Sequence, residues 1–253
     1  MISYQTTING IEVHAQYTEE SVRDIFLPLL RRLSRLQRQK KRRILVMLAA
    51  PPGAGKSTLA GFLKYLAGQE PDIVPVTVIG MDGFHRYQED LLAHKTVRDG
   101  VEIPLVQVKG APETFALGLL TERVRQVAAG EACGWPEYNR LLHNPVEQAI
   151  TVQGDLVLLE GNYLLLDRDG WRDLAKYADY TIKIQADEQI FKARLVDRKI
   201  KSGADPEAAL RFVEFSDMAN VRECLEHTGK ADLTLVLGAD GACLTTENGI
   251  SEA

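Results

Sequence analysis

Residues 44–60 read ILVMLAAPPGAGKSTLA. The six apolar residues Ile44 to Ala49 have the length and content of a buried strand, and a Pro/Gly-rich turn joins them to a helical pattern starting at Lys56. Within the turn, Ala50, Gly55, Lys56 and Ser57 fit the spacing Gly-x-x-x-x-Gly-Lys-Ser/Thr, with Ala in the first Gly position. A methyl group is tolerated there if φ stays negative. Gly53 and Gly55 let backbone N–H groups turn inward and approach a polyphosphate, and the helix N-terminus adds its positive dipole end. Lys56 can reach the β- and γ-phosphates, the Ser57 hydroxyl suits Mg²⁺, and Thr58 is available for a further phosphate contact. The expected nucleotide-binding set is Pro52, Gly53, Ala54, Gly55, Lys56, Ser57 and Thr58.

Composition narrows the setting. With 253 residues and 45% apolar content, the chain can build one sizeable α/β domain. A net charge of -5 provides no overall cationic field to recruit nucleic acid. Cys133, Cys224 and Cys243 are odd in number and unpaired in spacing, which argues against a disulfide framework and a thiolate metal site. The polar N-terminus and the lack of an apolar run near the roughly 20 residues needed to span a bilayer give the expectation of a cytoplasmic protein with no membrane partner.

Residues Ile2 to Tyr17 alternate apolar and polar around Asn9-Gly10, the signal of a two-residue hairpin, expected on the edge of the main sheet. Val22, Ile25, Phe26, Leu29, Leu30, Leu33 and Leu36 then recur at helical spacing, with Pro28 starting or kinking the helix. Arg31 through Arg43 hold eight cations. A nucleic-acid patch is one reading, but the acidic remainder and the lack of interleaved aromatics favour a solvated helix end. Residues 1–43 are thus expected as an N-terminal addition packed on a core of residues 44–238, with 239–253 a frayed tail.

Downstream, a β-rich run Ile73 to Ile79 closes on MDGFH, so Asp82 falls at the carboxyl end of a strand, expected one strand over from the glycine turn. It is either a carboxylate that accepts a substrate hydroxyl proton or part of an Asp-Gly turn. His94 to Val108, with Asp99-Gly100 at its centre, reads as a hairpin flap or a plain insertion. Pro112 and Glu113 read as the first turn of a helix running to about Ala129, where Glu113 also suits the helix dipole. Trp135 to Pro145 reads as an irregular loop whose Trp135 and Tyr138 are binding residues or packing anchors. Asp155 to Leu159 is a buried strand ending on Glu160, placed to organise Mg²⁺ or its waters. After a strand at Thr181 to Ile184, a helix capped by Asp187 carries Arg194, Arg198 and Lys201, either a lid over 187–203 or cations favoured by the helix dipole. A helical region, Pro206 to Glu226, and a strand, Leu233 to Leu237, close the pattern. Repeated strand–helix units imply a parallel sheet covered by helices on both faces.

APPGAGKS, MDGFH, KGAPETF and LLEGNYLLLD, followed by a basic RLVDRK helix, together resemble the uridine kinase, phosphoribulokinase and type I pantothenate kinase branch of P-loop kinases. Within it the chain is most similar to bacterial proteins labelled fructose-transport-system kinases. The resemblance spans about Leu45 to Val236 and implies the three-layer P-loop fold. It further implies that Asp82 is the catalytic base, Glu160 the acidic metal-organising position, and Arg194 and Arg198 the lid cations. Lys109, Pro112, Glu113, Tyr138 and Arg140 fall where relatives bind the acceptor. Ala116 stands where relatives often carry an Asp, and the 94–108 loop is longer than usual.

The leading expectation is ATP- and Mg²⁺-dependent phosphorylation of a hydroxyl on a small metabolite, most simply a sugar, with Lys56, Asp82, Arg194 and Arg198 as the catalytic set. A rim of His85, Arg86, Glu113 and Arg140 suits several hydroxyls, whereas stacking on Phe84, Trp135 or Tyr138 would favour a nucleoside; pantothenate is a further acceptor. A nucleotide-dependent switch is the alternative from another class. A homodimer is compatible with the sequence.

Overall fold

The computed structural model describes residues 1–8, 11–98, 100–238 and 244–246. The chain opens with an antiparallel hairpin, β1 (Ile2–Ile8) and β2 (Ile11–Tyr17), in which Ile2 faces Tyr17 and Ile8 faces Ile11. The expected Asn9-Gly10 turn lies outside the described residues. A helical segment over 19–40 follows, and its Val22–Phe26 part winds as a π-turn before Pro28. Proline has no N–H to give to the preceding turn, and the wider turn takes up that missing bond, with Leu27 N–H donating to Val22 O.

Ile44 to Ala49, buried at every position, form β3 (Ile44–Ala49). Next come β4 (Val76–Gly80), the antiparallel pair β5 (Lys95–Arg98) and β6 (Val101–Pro104), and a second pair, β7 (Cys133–Asn139) and β8 (Asn144–Val152). β9 (Leu156–Gly161), β10 (Tyr180–Gln185), β11 (Leu233–Leu237) and β12 (Leu244–Thr246) complete the strands described. The main sheet has the order β12-β11-β10-β3-β9-β4 and is parallel apart from the β11–β12 pairing. Residues 244–246 therefore add an edge strand inside the stretch expected as a frayed tail; the rest of 239–253 lies outside the described residues, as does Asp99.

The pleat divides the core in two. Ile44, Val46, Leu48, Leu156 and Leu158 face a cluster shared with Phe26, Phe62, Phe191 and Val213, while Leu45, Met47, Ala49, Val157 and Leu159 face Leu120, Val124, Trp135 and Tyr163. Both faces of β3 and β9 are covered, which is why these strands read as continuous apolar runs. The result is the three-layer P-loop fold. No helix among the described residues is long and apolar enough to cross a membrane.

Four expectations need correction. The strand expected from Ile73 starts at Val76, and β4 pairs with β9 rather than β3, so Asp82 stands two strands from the phosphate loop with the Glu160 strand between. The N-terminal hairpin does not sit on the sheet edge. It packs on the Lys56–Ala67 helix, with the Tyr4 ring 5.3 Å from Phe62 and Tyr17 stacked on Phe62 at 4.3 Å. Pro112 and Glu113 belong to a separate 3-10 turn, Pro112–Thr114, and the α-helix proper is Leu117–Ala128. Phe115 is held extended between them by a bridge to His85, and Ala116 N–H donates to Phe84 O. The stretch expected as an irregular loop is largely the β7–β8 hairpin; a register shift between Trp135 and Glu137, around Pro136, hides its alternation.

The segment 94–108 contains the β5–β6 hairpin. The basic run is tied to the core: Lys40 and Arg42 pair with Asp179, Arg43 donates to Gly154 O and Glu131 O, and Arg31 pairs with Glu70 and Asp72.

Candidate active site

The phosphate loop is built as its sequence demands. Gly53 and Gly55 have φ of 82° and 81°, and a Cβ added at Gly53 would lie 3.0 Å from Leu195 Cγ and 3.1 Å from Phe191 O. Positive φ among the described non-glycine residues is confined to Lys41, His143 and Gln148, so Ala50 fits its position without strain. Leu59 N–H to Gly55 O is the first hydrogen bond of the Lys56–Ala67 helix, which leaves the N–H groups of Lys56, Ser57 and Thr58 outside the helical ladder at its positive end.

Three strand ends converge beside this loop. Ser57 Oγ donates to Glu160 Oε1 at 2.8 Å, joining the helix start to the end of β9. Burial pushes the Glu160 carboxyl above its ordinary value; Lys56 and the Ser57 hydrogen bond pull it down, and the charge of Asp82 adds to the rise. Asp82, in the 3-10 turn Met81–Phe84 after β4, is half-buried. Burial alone would raise its carboxyl, but the positive charge around it, from His85 when its ring is protonated and from Lys56, Arg140 and Arg198, holds it below the ordinary range. The site thus holds two carboxylates with opposite shifts, Asp82 ionised and Glu160 harder to ionise.

A Ser hydroxyl and a carboxylate are hard oxygen donors of the kind Mg²⁺ takes, with the rest of its shell left to water and phosphate oxygens. Among the described residues no three His, Cys, Asp or Glu side chains converge on a metal position; the donors available here are the Ser57 hydroxyl and the Glu160 carboxylate, joined by their hydrogen bond.

Around Asp82 the polypeptide is tightly fitted. A Cβ on Gly83 would fall 1.9 Å from Pro136 O, so the turn and β7 touch backbone to backbone. Trp135 is fully buried and donates its Nε1–H to Gly80 O at 2.8 Å, while Phe84 packs on Trp135 with ring centroids 4.8 Å apart. Both are packing anchors that aim the Asp82 turn. The His85 ring lies between Phe115 at 4.1 Å and Tyr138 at 5.0 Å, and burial lowers its affinity for a proton, with Asp82 opposing. Lys109 sits 4.9 Å from the Tyr138 ring centroid and donates to Gln88 Oε1 and His143 O.

Other expected site residues are drawn elsewhere. Arg86 pairs with Asp90 and reaches Glu113 O, and Glu113 accepts from Arg98 of β6's partner strand β5 at 2.5 Å. Phe84, His85 and Arg86 also wall a cavity of about 340 Å³ shared with Tyr87, Phe115 and Leu119, on whose wall neither Asp82 nor Lys56 lies. The Glu188–Lys201 helix, capped by Asp187, lays Arg194 on the phosphate loop with Nη1 3.4 Å from both Gly53 O and Ala54 O. Arg198 follows one turn later and Arg140 rises from the β7–β8 turn; both are exposed and both act on Asp82. Asp217, which the sequence reading passed over, faces Lys199 at 4.0 Å and the charge of Arg198 from the π-turn Val213–Asp217. No local pattern marks it, because its significance depends on a helix sixteen or more residues upstream.

A sequence profile of the Phosphoribulokinase / Uridine kinase family matches residues 45–236. The "Uncharacterized protein YggC" of Escherichia coli (strain K12) is 42% identical over 238 residues, covering 94% of this chain and 96% of that one. A candidate uridine kinase of Schizosaccharomyces pombe (strain 972 / ATCC 24843) is 30% identical over 190 residues, covering 72% and 77%. Among solved structures, a candidate fructose transport system kinase from Silicibacter sp. TM1040 superposes with a TM-score of 0.72 at 32% identity, covering 82% of this chain and 98% of that one.

Proposed function

The chain belongs to the phosphoribulokinase/uridine kinase family and is a phosphotransferase acting on an alcohol group, and we propose that it moves the γ-phosphate of ATP to a hydroxyl of a sugar or sugar-like metabolite. The observation that carries this reading is Asp82, held ionised by the cations Lys56, Arg140 and Arg198 beside the Ser57–Glu160 contact.

In this reading the loop from Pro52 to Thr58 grips the triphosphate with its N–H groups, and Lys56 spans the β- and γ-phosphates. Ser57, with Glu160 hydrogen-bonded to it, would hold a Mg²⁺, which would supply neutralising charge to the phosphates. The transferring group passes through a loose transition state, so alignment and positive charge lower most of the barrier, and Arg194 and Arg198 bring that charge from the lid helix. Asp82 accepts the acceptor's hydroxyl proton late in transfer, a task a carboxylate of low basicity can perform. Because ATP is the donor and the described thiols of Cys133 and Cys224 are buried and free, the enzyme is expected to work in the cytoplasm.

The acceptor's chemistry is supported by what is left available. A nucleoside base would need an aromatic face; Trp135 is sealed in the core, and Tyr138 is already flanked by Lys109 and His85. His85, Arg140 and Lys109 offer polar groups better matched to hydroxyls. The test is an ADP-release screen across sugars, polyols, nucleosides and pantothenate. A sugar or polyol should give the acceptor-dependent signal, and Asp82→Asn should lower turnover about 10²–10⁴-fold with ATP affinity nearly unchanged. Turnover retained by that variant removes the base role; a signal with pantothenate or a nucleoside alone replaces the sugar reading; uniform slow hydrolysis favours a nucleotide switch.

A further inference from the structure

The Glu188–Lys201 helix is held by the segment that follows it in the chain. Three charge contacts join the two: Arg222 Nε donates to Glu188 Oε1 at 2.7 Å, Lys192 pairs with Glu214, and Lys199 Nζ lies 4.0 Å from Asp217 Oδ2 and 3.6 Å from the Phe212 ring centroid. Glu214 and Asp217 both belong to the π-turn Val213–Asp217, and Arg222 to the Met218–His227 helix. At about 100° per residue, Glu188, Lys192 and Lys199 fall on one stripe of their helix, and Arg194 and Arg198 fall on another roughly a third of a turn away. The first stripe meets the charged segment. From the second, Arg194 reaches Gly53 O and Ala54 O. Asp217 has no local task to explain its place. It stands at the N-cap of the Met218–His227 helix but makes no side-chain cap there, and its Oδ2 is buried without a hydrogen-bond partner among the described residues. Burial raises its carboxyl, and the charges of Lys199 and Arg198 oppose that rise.

We propose that Glu214 and Asp217 are positioning residues of the kinase: by holding Lys192 and Lys199 they fix the rotation of the Glu188–Lys201 helix about its axis, so that its arginine stripe faces the phosphate loop. Apolar contact alone would not set that rotation. Leu195, whose Cγ would lie 3.0 Å from a Cβ on Gly53, brings the helix close to the loop, but burial of this kind is non-directional. Ion pairs that stay partly exposed contribute little to stability, so three of them along one stripe matter for geometry more than for folding energy. Cations already aimed when ATP arrives act on its γ-phosphate without a reorganisation cost. The π-turn is the element that carries both acids, and such turns recur where a helix has been adapted to a functional site.

This inference rests on ATP occupying the phosphate loop with Arg194 and Arg198 at its γ-phosphate, so the test needs no acceptor. Titration calorimetry compares a non-hydrolysable ATP analogue with ADP, each with Mg²⁺. Asp217→Asn and Glu214→Lys should each weaken the ATP analogue about three- to tenfold while ADP affinity holds, whereas general damage to the fold would weaken both nucleotides alike. Adding Lys192→Glu to Glu214→Lys exchanges the two charges and should recover most of the loss. Glu207→Gln, which removes an acid paired within its own helix to Arg211, should bind both nucleotides as the wild type does. An unchanged preference for the ATP analogue in Asp217→Asn and Glu214→Lys, an equal loss for both nucleotides, or no recovery on charge exchange overturns the proposal. A wild-type protein that binds neither nucleotide overturns the ATP reading, and this proposal with it.

Discussion

At the scale of single residues, the positions legible in the sequence are those whose role follows from a strand end. Asp82 and Glu160 terminate apolar runs in a parallel sheet, and that edge is where such a sheet presents side chains to a ligand. Arg86 and Glu113 were less legible because each had a competing partner, Asp90 and Arg98, that only the folded chain brings within reach. His85 offers a test of the electrostatics. Burial holds its proton affinity below the ordinary value of 6.5, with Asp82 only partly offsetting. Below about pH 6.5 the unfolded chain therefore takes up a proton that the folded chain refuses, so the stability that neutral His85 contributes is complete above that pH and is lost as pH falls toward its lower folded value. The melting temperature of the wild type should drop more between about pH 7 and pH 5 than that of His85→Asn. Glu160 and Asp217 carry shifts of the opposite sign, but both are present in the two proteins, so the difference between the curves reports His85. Parallel curves would show that its imidazole gains a proton freely in the folded state.

At the scale of elements, helices and buried strands announced themselves by period and length, whereas turns joining them did not. The β7–β8 hairpin was hidden because a bulge at Pro136 breaks the two-residue alternation, and Gln148, with φ of 53°, breaks it again on the partner strand. The Leu117–Ala128 helix begins later than its sequence suggests because Pro112 and Glu113 look like a first turn. Thr114 instead closes that turn on itself, accepting from Gly110 N–H and donating to Ala111 O. The consequence is an N-cap at Ala116, which has no side-chain oxygen for the free N–H groups, and no acidic residue stands in the first turn. Ala116→Asp should supply both the missing acceptor and a favourable charge at the dipole's positive end, stabilising the protein by ~1 kcal/mol. In a chain of this length that corresponds to a melting temperature higher by about 2–4 °C. A lower or unchanged value would mean that the cavity wall beside Ala116 cannot admit the carboxylate.

At the scale of the whole molecule, the sheet order sets three candidate site segments on adjacent strands: β3 leads into the phosphate loop, β9 carries Glu160 as its penultimate residue and β4 leads to Asp82. The Glu188–Lys201 helix, which follows β10, lays Arg194 on the phosphate loop, and the N-terminal hairpin packs on the helix behind that loop. Strand neighbours are a long-range property, set by which apolar faces bury each other, so the sequence could number the strands but not arrange them. Because the loop, the acids and the Glu188–Lys201 helix belong to one packed unit, filling the site should stabilise all of it. At an ATP concentration a hundredfold above its Kd, mass action adds ~2.7 kcal/mol, or roughly 5–10 °C in melting temperature for a chain this long. Lys56→Ala should lose most of that shift, since the lysine contacts the phosphates in the bound state, while Asp82→Asn should keep it, since its carboxylate serves the acceptor. Thermal melts of the three proteins with and without Mg²⁺-ATP decide the matter. A full shift in Lys56→Ala would mean that the nucleotide's phosphates are held elsewhere, and loss of the shift in Asp82→Asn would move that acid from the acceptor's side of the cleft to the donor's.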